Sequence, residues 1–169
     1  MKRAAVLLLT AGLLAGMVAL VGCGEKKTTL ETPEGRVEVS EEGGGKITYK
    51  TGEGEATYEQ ATEVPSEEEL GAPVYPGAEF NEKGSGSVTG SSAEGKYSSL
   101  VAEFAAKDDF DKVFSWYKGR LGEPLYVDGA AREANWSKVE GSRIISVSIQ
   151  GEDGGVKIII SSTSAPLSP

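Results

Sequence analysis

Asp108-Asp109-Phe110-Asp111-Lys112-Val113-Phe114-Ser115-Trp116-Tyr117-Lys118-Gly119-Arg120-Leu121 is the stretch whose reading decides the fold. Phe110, Val113, Phe114, Tyr117 and Leu121 recur at spacings of three and four, the stripe of a helix with one buried face. Asp108 is placed to cap its N-terminus, with Asp111 completing a variant capping box. Lys118 and Arg120 close the last turn, where cations suit the macrodipole, and Gly122 and Pro124 stop the helix. Trp116 falls off the stripe and is expected at the edge of the core.

Strand patterns lie on both sides of this helix. Tyr97 to Ala106 puts Leu100, Ala102 and Phe104 on one face. After the helix, strands are expected at Ala134 to Val139, Arg143 to Gln150 and Val156 to Ser162. Glu152-Asp153-Gly154-Gly155 supplies the hairpin turn between the last two. Further upstream, Pro76-Gly77 fits the central positions of a type II turn, and the glycine- and serine-rich Gly84 to Ser92 reads as an irregular loop or a weak strand. The expected fold class is α+β: an antiparallel sheet with one amphipathic helix, about 108–121, packed on one face.

Ahead of this unit, 73–162, three segments alternate polar with apolar residues at period two. They are Arg36 to Ser40, Lys46 to Lys50 and Glu55 to Glu59, separated by glycine-bearing turns, and they read as a small β-meander over 35–62. An acidic linker over 63–72 follows, with Pro65-Ser66-Glu67-Glu68-Glu69 forming at most one helical turn. Residues 23–34 read as a flexible tether and 163–169 as a disordered tail.

The chain of 169 residues carries 17 basic and 26 acidic residues and no histidine. That balance argues against a nucleic-acid partner and against electrostatic attachment to anionic lipid. Missing histidine removes the commonest general base and metal ligand. Gly84-Ser85-Gly86 lacks the flanking strand and helix of a phosphate loop. The carboxylates of Lys107 to Asp111 and of Glu67 to Glu69 lack the alternating ligands of an EF-hand loop. Asn135-Trp136-Ser137 matches a glycosylation sequon. No catalytic residue, metal site or cofactor is therefore expected. Tyr75, Tyr97, Trp116, Tyr126 and Trp136 are candidates to line a sugar- or peptide-binding groove, or else are ordinary core and edge aromatics.

At the N-terminus, Met1-Lys2-Arg3 is basic and Ala4 to Ala19 is uncharged, the n- and h-regions of a secretory leader. Leu20-Val21-Gly22-Cys23 follows and contains the only cysteine of the chain. This stretch resembles the lipobox of bacterial lipoproteins. The resemblance implies that 1–22 is a cleaved lipoprotein signal peptide and that Cys23 carries a diacylglyceryl group with fatty acyl chains such as palmitate. Gly24, rather than Asp, carries no inner-membrane retention signal. Cleavage would leave 147 residues, and loss of Lys2 and Arg3 would take the net charge from −9 to −11. The segment from Pro73 to Ser162 also resembles a loose group of uncharacterised envelope lipoproteins, through Pro73, Tyr75 to Ala78, Asp108, Val113 and Trp116-Tyr117. That likeness concerns turn, cap and core residues and brings no catalytic residue with it.

The function expected from the sequence is that of a lipid-anchored extracytoplasmic protein, on the cell membrane or outer membrane through the lipid at Cys23. It would act as a non-catalytic binding or assembly module with an envelope protein or glycan as partner. The alternatives are a small envelope hydrolase using serine or paired carboxylates, and a structural spacer.

Overall fold

Ten strands form one continuous antiparallel sheet, in the order β1-β2-β3-β4-β5-β6-β10-β9-β8-β7. A computed structural model describes residues 27–33, 35–40, 45–93 and 95–164. The leader, Cys23, the start of the tether and residues 165–169 of the tail lie outside the described residues. The strands are β1 (Lys27–Thr32), β2 (Gly35–Ser40), β3 (Lys46–Thr51), β4 (Gly54–Gln60), β5 (Glu79–Ser92) and β6 (Gly95–Ala106). After a helix come β7 (Tyr126–Asp128), β8 (Glu133–Glu140), β9 (Arg143–Glu152) and β10 (Gly155–Ser164). The two helices are short: α1 is Glu67–Leu70 and α2 is Phe110–Leu121.

This corrects the α+β expectation. The protein is nearly all antiparallel sheet, and its longer helix has only 12 residues. The reason lies in Gly84 to Ser92. This stretch has little apolar character of its own, yet it belongs to a 14-residue strand hydrogen-bonded along both edges, by β4 and β6. Neighbours on both sides override its weak β-propensity. That strand fuses the meander to the rest, so 35–62 and 73–162 share one sheet.

Other boundaries move for local reasons. Residues 27–32 of the expected tether pair with β2 as the edge strand β1. The acidic linker contains α1, closed by a capping box in which Ser66 Oγ accepts from the Glu69 amide and Glu69 accepts from the Ser66 amide. Its Leu70 and Ala72 are core residues. Asp109, not Asp108, caps α2, accepting from the Lys112 amide at 2.9 Å. Asp108 instead accepts from the Tyr75 hydroxyl at 2.6 Å and from Lys112 Nζ at 2.8 Å. The Lys112 bond, and then the Tyr75 bond, hold its carboxyl below the usual range. Residues 163 and 164 of the expected tail end β10, and the short β7 went unread in the sequence.

The turn at Pro76-Gly77 forms as read, with Gly77 at φ +78° and the Ala78 amide donating to the Tyr75 carbonyl. In β5, four residues lie between Asn81 and Gly86 while one lies between Glu103 and Val101 on β6. Ser85 stitches this bulge: its hydroxyl donates to the Asn81 carbonyl and accepts from the Glu103 amide.

The core occupies one face of the C-terminal half. Alternate residues of β6, β10, β9 and β8, including Phe104, Ile158, Ile160, Val147 and Trp136, are buried there with Phe110, Val113 and Tyr117 of α2. Leu70 of α1 joins them, and Arg143 secures that helix by donating to Ser162 Oγ and to the Glu68 and Glu69 carbonyls. Gly71, in the left-handed region at φ +70°, lets the chain leave α1 hard against Ile145; a Cβ there would meet Cδ1 at 2.5 Å.

Tyr117 is buried, and its hydroxyl completes no hydrogen bond of good geometry. Burial pushes its phenol pKa far up, and the nearby Tyr75 backbone opposes this only in part. A desolvated hydroxyl of this kind costs stability. Tyr117→Phe should therefore leave the protein unchanged or stabilise it by about 1 kcal/mol in urea unfolding. A loss above that size would show that the hydroxyl has a partner.

Candidate binding cleft beside the helix

Where α2 ends, Gly122 turns the chain away and Glu123-Pro124-Leu125 runs back towards β8. Trp136 on β8 fixes this path, because its indole Nε1 donates to the Gly122 carbonyl at 2.9 Å. Leu125 then starts pairing, its amide donating to the Asn135 carbonyl. Between this loop and the sheet lies a cleft of about 420 Å³. Its walls are apolar, from Leu121, Pro124, Trp136, Ile145 and Val147, and Arg120, Glu123 and Lys138 add charge.

The charges are partly engaged. Glu123 pairs with Lys118 at 3.0 Å and Lys138 with Glu140 at 2.8 Å, while the Arg120 guanidinium lies 4.0 Å from the Trp116 ring centre. Lys138 holds the Glu140 carboxyl below its usual range, first by the hydrogen bond and then by charge. The volume falls in the range of small-molecule sites, about 300–1,000 Å³. Chemically, the cleft can take an apolar group against Trp136, with charged side chains in its lining to engage a polar end.

The aromatic candidates separate into two sets. Tyr75, Trp116 and Trp136 come together through Tyr117: Tyr75 meets Trp116 edge-on at 5.3 Å, Trp116 meets Tyr117 at 4.8 Å, and Tyr117 lies 5.7 Å from Trp136. This is a packed cluster, of which Trp136 also lines the cleft. Tyr97 lies elsewhere, folded over Gly90 of β5, and Tyr126 is exposed on β7 beside Asp128.

The other motifs are absorbed by the fold. Ser85 closes the β5 bulge, and Glu67 accepts from the Val74 amide. Asn135 turns its amide inward to Val147 O and Ser148 Oγ. Among the described residues no group of three or more histidine, cysteine, aspartate or glutamate side chains is placed to hold a metal ion. Also among them, no helix is long and apolar enough to cross a membrane. Cys23 lies outside the described residues. The cleft itself was invisible in the sequence. Pro124 and Leu125 read there only as a helix stop, and nothing local pairs them with Ile145 and Val147. No protein-family model matches the chain, and comparison with curated proteins and with solved structures finds no match.

Proposed function

We propose that the chain is a lipid-anchored extracytoplasmic protein of a bacterial envelope, whose sheet domain is a non-catalytic module that binds or assembles with a partner there. The observation that carries the anchor is Leu20-Val21-Gly22-Cys23, directly after a basic start and an uncharged run, with Cys23 the only cysteine. Two acyl chains on one sulfur suffice for stable anchoring, since each buried methylene contributes about 0.8 kcal/mol. The cleft at Trp136 supports the binding part of the reading, being of ligand size and lined by both apolar and charged side chains.

The intact mass of the protein extracted from its own membranes tests the anchor. The expected mass is that of residues 23–169 plus a diacylglyceryl group, with or without a further acyl chain. An unmodified Cys23, or a leader still attached, would overturn it.

A further inference from the structure

The β1–β4 half of the sheet sorts its side chains by charge, and it does so on the face without a core. Pairing sets Leu30 opposite Val37, Val37 opposite Tyr49, Val39 opposite Ile47, and Ile47 opposite Tyr58. The reverse face of the same strands carries Glu31, Arg36, Glu38, Lys50, Glu55 and Glu59. Arg36 pairs there with Glu31 at 2.6 Å and Lys50 with Glu55 at 3.4 Å. The register carries the apolar stripe to the side away from α2. Tyr58 pairs with Val88 and Val88 with Ser99, which points opposite to the buried Ala102 and Phe104.

Among the described residues, nothing covers this stripe. Leu30 is 49% exposed, Ile47 43% and Tyr58 40%. Tyr58 lies over the neighbouring strand; a Cβ on Gly86 would meet its ring at 2.9 Å. Gly86 and Gly90 of β5 thus make room for the rings of Tyr58 and Tyr97, which extend the apolar surface sideways.

We infer that this face lies on the phospholipid bilayer to which Cys23 is attached, an inference that rests on the anchor reading. Four peptide steps separate Cys23 from Lys27, the first described residue, and a chain covers at most about 3.6 Å per step. The sheet therefore begins within about 14 Å of the Cys23 Cα. At that distance β1–β4 are within reach of the headgroups. The charged side keeps its ions hydrated only if it faces water. The other side presents aliphatic residues with tyrosines, whose amphipathic rings suit the headgroup level. With a net charge of −11 after processing, the contact is apolar rather than electrostatic, and it needs no anionic lipid.

Because lipid occupies Cys23, an introduced cysteine is the only free thiol and takes a single nitroxide label. Labels at Leu30→Cys and Ile47→Cys report on one face, and at Glu38→Cys and Glu55→Cys on the other, in the lipidated protein reconstituted into phosphatidylcholine vesicles. The expected result is loss of contact with a water-soluble nickel chelate, and gain of contact with dissolved oxygen, at 30 and 47 alone. Equal nickel access at all four positions, on protein whose mass shows the lipid, overturns the inference and leaves the anchor standing. Protein without the lipid overturns both. Spin–spin broadening at 30 and 47 that vanishes on dilution with unlabelled protein assigns the face to a second copy and overturns the bilayer assignment. Protection that appears only with anionic lipid overturns it as well.

Discussion

Trp136→Ala should cost about 3–5 kcal/mol of stability, the usual range for removing a large buried aromatic. Trp136 is 4% exposed and touches two rings of α2, Phe114 and Tyr117, each at 5.7 Å between ring centres. Its loss removes that packing and also the donor to the Gly122 carbonyl, so the end of α2 loses its fastening to β8. Domains of this size have about 5–15 kcal/mol in total, so the variant would approach the unfolding threshold. Urea denaturation followed by circular dichroism measures the change. Trp136→Phe should recover much of the packing but not the hydrogen bond, which separates the two contributions. A cost below about 1 kcal/mol for the alanine variant would mean that the neighbouring cleft closes over the gap. Helix and sheet would then be held together elsewhere.

Cys23→Ser has the largest expected effect on location. The serine hydroxyl is not the thiol that accepts the diacylglyceryl group in the lipoproteins this leader resembles, and there the cut follows lipidation. The expected product is therefore the uncleaved, unlipidated precursor, which retains all of residues 1–22 and the charge of Lys2 and Arg3. Metabolic labelling with a fatty acid, read beside the intact mass, checks both points. Normally processed protein that partitions into detergent from this variant would sink the anchor reading.

Much of the local structure was legible in the sequence because local rules govern it. The stripe from Phe110 to Leu121 and the turns at Pro76-Gly77 and Asp153-Gly154 depend on neighbours within a few residues. The fold class was not, because it depends on which strands meet. Period-two alternation in Lys46 to Lys50 shows that one side is apolar, yet it says nothing about which side of a larger sheet that becomes. Only the pairing of Tyr58 with Val88, across a loop that includes α1, places Ile47 and Tyr49 away from the helices. The Asp108 cap shifted by one residue for a related reason. Both Asp108 and Asp109 suit the position locally, and the Tyr75 hydroxyl, 33 residues away, engages Asp108. The cleft depends on such distant meetings altogether, since its walls come from Leu121 to Leu125 on one side and β8 and β9 on the other. The lipidation proposed for Cys23 rests on the reverse, on its immediate neighbours in sequence and on no feature of the fold.

The position of β10 bears on the order of assembly. It is the last of the described strands in sequence, yet it lies between β6 and β9, and the sheet is continuous only through it. Until residues 155–164 have emerged from the ribosome, the strands before α2 and those after it have no backbone ladder in common. Antiparallel partners that wait on distant sequence also close slowly. In a nascent chain of this design the two halves of the sheet therefore stay unjoined until β10 is made.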